Sequence, residues 1–424
     1  MPPSQPIKAA RGVRDVMPAE RAVWEVAETA AHEVARAYGY QELVTPILEL
    51  AALIERGVGQ DTDAGGKELY RLVKRGHEEL VLRPEATAGV VRAYFQHGLG
   101  QGPQPARLYT LGSMFRYNAP QLGRYREFHQ LDVEAIGDAS PAYDVECIEI
   151  AMRWMGALGL RGLRLELNSI GDGKCRPGYI EKLVNYYRPL QDKLHPDCQR
   201  RLETNPLRLL DCKEEQCAPY KAKAPRITDH LCAECEAAFG TVRGMLDAAG
   251  IEYLLNPYLV RGLDYYTRTV FEVLHEALGG AQNSLGGGGR YDGLAAEIGY
   301  PDTPAVGFAA GFERVVMMMG EEGEEVVPPP PALVLVLPDG PLLNEAAEVG
   351  RIARTAVPTA VDYSTRSLKA KMRAANRLGP RWVAILNAEE AARRVVQLKE
   401  MAGGEQAEVG WDELPAILEA ELSR

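Results

Sequence analysis

Four consecutive prolines, Pro328–Pro331, constrain this chain more than any other feature. A proline run continues neither a helix nor a central strand, because each ring fixes φ and removes an N–H donor. It forms a stiff, extended connector. The run follows Gly320–Gly323 and Glu324-Glu325-Val326-Val327, and it divides the 424 residues into a large N-terminal unit and a smaller one, Ala332–Arg424. Two or three domains are expected at this length.

In the smaller unit, Ala332–Leu337, Thr359–Asp362, Trp382–Leu386 and Val395–Lys399 read as strands. Between and after them, Leu342–Ala356, Leu368–Leu378, Ala388–Arg394 and Trp411–Leu422 read as helices. That alternation predicts a small α/β domain with a mainly parallel sheet. The larger unit opens with a helix over Ala19–Tyr38, from apolar spacing at Val23, Val26, Ala27, Ala30 and Val34. It ends at Gly39 and leads into a strand at Leu43-Val44-Thr45-Pro46-Ile47. From Gly171 to about Ala238 the strand-rich pattern gives way to helical, charged sequence, and the sheet resumes at Glu252-Tyr253-Leu254.

Composition excludes some classes. No apolar run is long enough for a transmembrane helix, and Met1–Pro6 lacks the apolar core of a signal peptide. No membrane partner and a cytoplasmic location are therefore expected. The net charge of −11 argues against broad nonspecific nucleic-acid binding. A local basic patch is still present: between Asp362 and Glu389 stand six basic residues and no acidic one.

The chemistry is expected around Arg261-Gly262-Leu263-Asp264-Tyr265-Tyr266, which runs into a β-branched and aromatic stretch ending at Val273. A strand over Tyr265–Val273 puts Tyr266, Arg268, Val270 and Glu272 on one face, with Arg261 and Gly262 where the strand begins. An arginine beside a glycine suits a phosphate. Three further arginine- and glycine-marked segments accompany it: Phe115-Arg116 with Gly123–Gln130, Leu285–Leu294, and Gly307–Arg314. Together they suggest a site for a nucleoside triphosphate and a small polar substrate. Gln130, Asp132 and Glu134 alternate onto one strand face, which is costly to bury unless a ligand pairs with it. Gly286–Gly289 reads either as a flexible loop or as backbone packed against a substrate.

These four segments resemble those of the histidyl-tRNA synthetases, a family of class II aminoacyl-tRNA synthetases. RGLDYY and GGGGRYDGL resemble the two histidyl signature peptides, FRYNAPQLGRYREFHQ resembles motif 2, and GFAAGFERV resembles motif 3. The resemblance covers nearly the whole chain. It implies an α+β fold: a catalytic domain on an antiparallel sheet flanked by helices (residues 1–325, helical insertion about 173–238), a linker at 326–331, and an α/β anticodon-binding domain at 332–424. It implies a cytoplasmic homodimer, built on the long helix and strand after it, that joins L-histidine to tRNA(His) using ATP with Mg2+.

Residue by residue, the resemblance implies that Arg116 and Arg261 hold the α-phosphate during catalysis. Arg124 and Arg314, with Arg116, bind ATP. Glu85, Thr87 and Gln130 receive the α-amino group, and Glu134 with Tyr265, Tyr266 and Tyr291 forms the imidazole pocket. One position departs from the family, which has Glu where this chain has Asn118; an Asn carbonyl can accept the same bond from adenine, or its amide can donate. In the C-terminal domain Arg366, Lys369, Arg373 and Arg377 are expected to meet the tRNA, with Lys371 and Arg381 widening the positive field. Cys212-x4-Cys217 and Cys232-x2-Cys235 form either a structural Zn2+ site or reduced thiols. Two other readings remain: the non-catalytic regulatory subunit of ATP phosphoribosyltransferase, and a class II synthetase for another amino acid.

Overall fold

The computed structural model describes residues 7–59, 62, 64–72, 78–278, 283–322, 331–336, 342–404 and 406–422. The chain forms two compact units, Met1–Val326 and Val327–Arg424. Of the connector expected at 326–331, only Pro331 lies within the described residues.

The first unit contains β1 (Gln41–Glu42), β2 (Leu48–Leu50), β3 (Leu80–Leu82), β4 (Ala106–Phe115), β5 (Glu127–Ile136), β6 (Leu163–Ser169), β7 (Leu254–Leu255), β8 (Thr267–His275), β9 (Ser284–Arg290) and β10 (Ala305–Gly311). Eight of these make one sheet in the order β1-β4-β5-β10-β9-β8-β6-β7. Its interior pairs are antiparallel, and only β1 on β4 and β7 on β6 run parallel.

Both faces of this sheet are covered, and strand alternation sorts side chains between them. Leu131, Val133, Phe271, Val273 and Phe308 join one core with Trp24, Ala27, Trp154 and Phe312. These last come from the helices Pro18–Ala37, Ala142–Ala157 and Phe312–Glu322. Val270, Tyr265, Tyr266 and Tyr291 belong to a second core, which includes Val90 and Tyr94 of the helix Thr87–Gln96 and much of the helical insertion. Gln130, Asp132 and Glu134 alternate with the first set along β5 and so turn toward this second side. The first helix is rotated from its expected stripe. Trp24, Ala27, Ala31 and Val34 are its buried line, and Val26 points outward.

Three expectations change here. The segment Leu43–Ile47 is not a strand: β1 precedes it, and its backbone reaches across at its two ends, Leu43 N–H donating to Tyr109 O and Ile47 O accepting from Arg83 N–H. The strand expected from Tyr265 begins at Thr267, so Arg261 stands well before it. Arg268 leaves the site face. A bulge between Thr267 and Val270 gives it φ of 51° and turns it to Asp172, 3.2 Å away. Two residues of β8, Arg268 and Thr269, stand unmatched by β9, and composition does not reveal such an irregularity.

The glycines of β9 form neither loop nor hinge; they are interior positions of a central strand. A Cβ on Gly287 would stand 2.7 Å from Arg261 Nη1, so the absent side chain makes room for that guanidinium. On β10, Gly307 pairs with Glu134, and a Cβ there would collide with the Glu134 carboxylate.

The second unit holds β11 (Leu333–Val336), β12 (Thr359–Asp362), β13 (Trp382–Ile385), β14 (Val395–Glu400) and β15 (Gln406–Gly410), ordered β12-β11-β13-β14-β15. The sheet is mixed rather than mainly parallel, since β14 and β15 run antiparallel. The stretch 386–394 between β13 and β14 is too short for the crossover of a dozen or more residues that parallel pairing needs. The strand β15 is short and mostly exposed, and it carries a single buried residue, Val409, so no alternation marks it.

Gly307→Ala should overpack the sheet between Glu134 and Val133, costing about 1–3 kcal/mol. Calorimetry should record a melting temperature lowered by on the order of a few degrees. A midpoint equal to that of the wild type would mean that β10 yields without cost.

Candidate functional site

Two adjoining cavities open on the second face of the sheet. The first, of about 250 Å³, is lined by Arg116, Asn118, Gly311 and Arg314 among others. The second, of about 230 Å³, is lined by Glu85, Thr87, Arg261, Tyr265 and Tyr266 among others. Arg116, Arg124, Gln130 and Ala309 line both, so these residues form the boundary across which two bound molecules would meet.

Each cation is positioned by fixed acceptors. Arg116, just beyond β4, donates Nε–H to Pro84 O at 2.9 Å and lies 5.1 Å over the Phe128 ring. Burial lowers its pKa, against the pull of Glu68 and Glu85. Arg261 donates Nη1–H to Glu272 at 3.0 Å. Burial works against its charge too, but Glu272 and the neighbouring tyrosines outweigh it and hold its pKa above the usual value. Arg314 ties the site together by donating to Gly123 O at 3.2 Å and to Ser284 O at 2.7 Å. Arg124 pairs with Glu68 at 3.0 Å.

Opposite the cations lies a buried acidic group. Glu85 accepts from the backbone N–H of Thr87 and Ala88 at 2.9 and 3.0 Å, at the start of the helix Thr87–Gln96. Glu134 accepts from Thr87 Oγ1 at 2.7 Å and from the Tyr291 hydroxyl. Asp132 is buried, and neither of its oxygens has a hydrogen-bond partner among the described residues; Gln130 Oε1 is likewise unpaired. Burial pushes the carboxyls of Asp132 and Glu134 well above the usual range, and that of Glu85 upward. For Asp132 the nearby Glu85 adds to the rise, while Arg83 and Arg116 oppose it. Such a face demands a cation that can donate hydrogen bonds.

The structure brings together Arg116, Arg124 and Arg314 at the first cavity, and Glu85, Thr87, Gln130, Arg261, Tyr265 and Tyr266 with the shared arginines at the second. Glu134 and Tyr291 stand behind the wall, bonded to each other and to Thr87. Asn118 lines the first cavity, and its Oδ1 is buried and unpartnered among the described residues. Arg366, Lys369, Arg373 and Arg377 belong to the second unit. Lys369, Arg373 and Arg377 are exposed along the helix Leu368–Leu378, and Arg366 pairs with Asp362 at 2.9 Å. Lys371 does not widen the positive field. Only 4 % exposed, it lies on the buried face with Ala375. Arg381 lies 4.5 Å over Trp382 and 3.8 Å from Glu400, which offsets its charge.

Several residues went unread. Glu68 and Arg208 line the second cavity from segments without periodicity, one in a loop and one in the insertion. Asp132 was legible from its place between Gln130 and Glu134. The cysteine reading needs correction as well. Cys212 and Cys217 cluster with Cys198, while Cys232 and Cys235 cluster with Asp172 and Cys175. The first group is packed in the insertion core and the second caps two helices, so the expected four never converge.

Most of the chain is similar to known proteins. A family model described as histidyl-tRNA synthetase matches residues 12–171 and 201–315, and one described as an anticodon binding domain matches 332–421. The histidine–tRNA ligase of Desulforudis audaxviator is 46% identical over 409 residues, covering 96% of this chain and 97% of its own. That of Desulforamulus reducens is 43% identical over 412 residues, covering 97% and 98%. The crystal structure of apo S. aureus histidyl-tRNA synthetase superposes with a TM-score of 0.81 at 33% identity, covering 97% of this chain and all of that one.

The acidic face sets a pH dependence. A carboxyl whose pKa is raised by folding binds its proton more tightly in the native state. Its contribution is therefore fully present below the unfolded pKa and lost as pH rises through the folded one. Asp132→Asn removes that loss. Thermal melts of the ligand-free protein should show the variant gaining on the wild type as pH rises above the usual carboxylate range. A difference that stays constant with pH would mean that Asp132 is ionised at no cost.

Proposed function

The chain belongs to the histidyl-tRNA synthetase family, and on that premise we propose how its residues carry out the ATP-dependent ligation of L-histidine to tRNA(His). The observation that carries the reading is the unpaired Asp132 and Gln130 oxygens of β5, set against Arg116 at the junction of two cavities and Arg261 in the wall of the second. MgATP enters as substrate in the first cavity and histidine in the second.

The histidine ammonium supplies donors to Glu85, Thr87 and Gln130, with the buried carboxyl of Asp132 beneath them. Its imidazole rests among Tyr265 and Tyr266, and Glu134 keeps free lone pairs to accept from a ring N–H. Tyr291, by donating to Glu134, orients that carboxylate. The histidine carboxylate oxygen then attacks the α-phosphorus; the bond to the bridging oxygen breaks and pyrophosphate leaves with the electron pair. Arg116 and Arg261 stabilise the charge that develops at the α-phosphate. Arginine suits this because its planar fork stays protonated even when buried. Arg124 meets the outer phosphates, Arg314 holds the adenosine side, and Asn118 Oδ1 accepts from the adenine amine. The tRNA 3′-terminal hydroxyl next attacks the adenylate carbonyl and AMP leaves.

We assign residues 1–325 to catalysis, 326–331 to a connector and 332–424 to anticodon recognition, with the insertion at about 173–238 meeting the acceptor stem. A cytoplasmic homodimer is supported by one apolar surface: Val44, Ile47, Leu48 and Leu50 are 75, 45, 48 and 45 % exposed along a single segment. So contiguous an apolar face suits burial against a second copy. No described helix is long and apolar enough to cross a membrane. A regulatory, non-catalytic role would leave the cation set around the first cavity without a task.

Pyrophosphate exchange tests the assignment. Wild type should exchange with histidine, and Arg261→Ala should lose about 3–4 kcal/mol of transition-state stabilisation while histidine binding changes little. Exchange only with another amino acid would remove the substrate assignment, and near-normal exchange by the variant would remove Arg261 from the phosphate. For the second unit, reversing Lys369, Arg373 and Arg377 to Glu should weaken tRNA charging but leave exchange intact. The deficit should shrink as salt rises, since phosphate contacts release counterions. Normal charging at low salt would make this stripe a solvated surface.

A further inference from the structure

The cysteine group at the root of the insertion has the dimensions of a metal site. Asp172, Cys175, Cys232 and Cys235 each offer one ligand atom, and all four atoms lie within 4.8 Å of one another. Cys175 Sγ stands 3.8 Å from Cys235 Sγ; Asp172 Oδ1 is 3.7 Å from Cys175 Sγ and 4.0 Å from Cys232 Sγ. Bonds of about 2.3 Å arranged tetrahedrally place sulfur ligands about 3.8 Å apart. A disulfide would need sulfurs at about 2.05 Å. The separations fit four ligands around one ion.

Local structure favours thiolates here. Cys175 stands at the N-cap of the helix Arg176–Tyr187, and Cys232 at the N-cap of the helix Ala233–Ala248, with Cys235 three residues inside. Both helix starts direct their partial positive charge at the sulfurs. Arg268, 3.2 Å from Asp172, and Arg176, which faces Cys175 and Cys235, offset the excess negative charge of three thiolates and a carboxylate. The other cysteine group, Cys198, Cys212 and Cys217, offers three ligands and no fourth among the described residues.

We propose that Asp172, Cys175, Cys232 and Cys235 bind one zinc ion that clamps both ends of the helical insertion to the catalytic sheet. Three soft thiolates with one carboxylate suit zinc over magnesium or calcium. The clamp joins three segments: the turn after β6 and the starts of the helices Arg176–Tyr187 and Ala233–Ala248. Beside it, Arg176 donates to Tyr266 O at 2.8 Å and to Ile170 O at 3.1 Å, and the Arg268 N–H donates to Gly171 O at 2.7 Å. The ion therefore sits one side chain from the backbone of the tyrosine that lines the second cavity. It is structural, with no open position required and no bond broken or formed in the ligation.

Metal analysis of the full chain, purified without chelator from zinc-containing medium, should find one zinc per chain. The Cys175→Ser/Cys235→Ser variant should lose it, and the Cys198→Ser/Cys212→Ser/Cys217→Ser variant should keep it. A wild type without stoichiometric zinc, or the reverse pattern in the variants, overturns the proposal. A second measurement on the wild-type chain does not depend on the variants folding. Chelator-stripped protein refilled with Co2+ should show tetrahedral d–d bands and charge-transfer intensity for three thiolates. Octahedral spectra, or a different thiolate count, would equally overturn it.

Discussion

The side-chain alternation of β5 is the constraint on which the first unit depends. Leu131 and Val133 face one core, and Gln130, Asp132 and Glu134 face the site. A slip of one residue would exchange the two sets, burying three polar groups among Trp154 and Phe308 and turning valine and leucine toward the substrates. The partners fix the register. Gly307 and Gly311 on β10 stand opposite Glu134 and Gln130, leaving space for side chains that lie across the sheet. Glu313, on the helix that follows, accepts from the His129 N–H at 2.9 Å and meets its ring at 3.0 Å, pinning the start of the polar row.

The fold in turn supplies what the polar row lacks. Hydrophobic burial of one sheet face by three long helices is large enough to tolerate an electrostatically unfavourable surface on the other. The arginines reach that surface from four separate places: beyond β4, from the loop before β5, from the segment before β8, and from the helix after β10. Their convergence needs long-range strand pairing, so none of them is in place until the sheet is complete. Arg261 needs the additional condition that its neighbour on β9 has no side chain.

Much of this was legible in the chain because strand alternation and short marked segments are local signals. The polar row of β5 could be read from period two alone, and the helix Leu368–Leu378 kept its exposed basic stripe. Failures came where a tertiary partner decides. The bulge at Arg268 depends on how β8 meets β9 and on Asp172, nearly a hundred residues away in sequence. Lys371 looked like one more surface cation, yet it falls on the same helical face as Ala375. The cysteines were paired by sequence proximity, although Cys235 meets Cys175, sixty residues upstream. Glu68 and Arg208 sit on irregular segments, where no period marks a contributor to a cavity.

The unpaired oxygen of Gln130, which lines the second cavity, and the buried Asp132 behind it also bear on which molecules that cavity turns away. A compound that carries the imidazole but no ammonium, such as imidazolepropionate, can fill the same volume. It would bring a carboxylate to the arginines and nothing to the acidic row. Sites built to pair with a donor reject analogues lacking it by as much as about 10⁴–10⁵, far more than a missing methylene achieves. On the proposed placement of the histidine ammonium, the vacant valences of β5 act as a sieve for amino acids over deaminated acids, upstream of any choice among side chains.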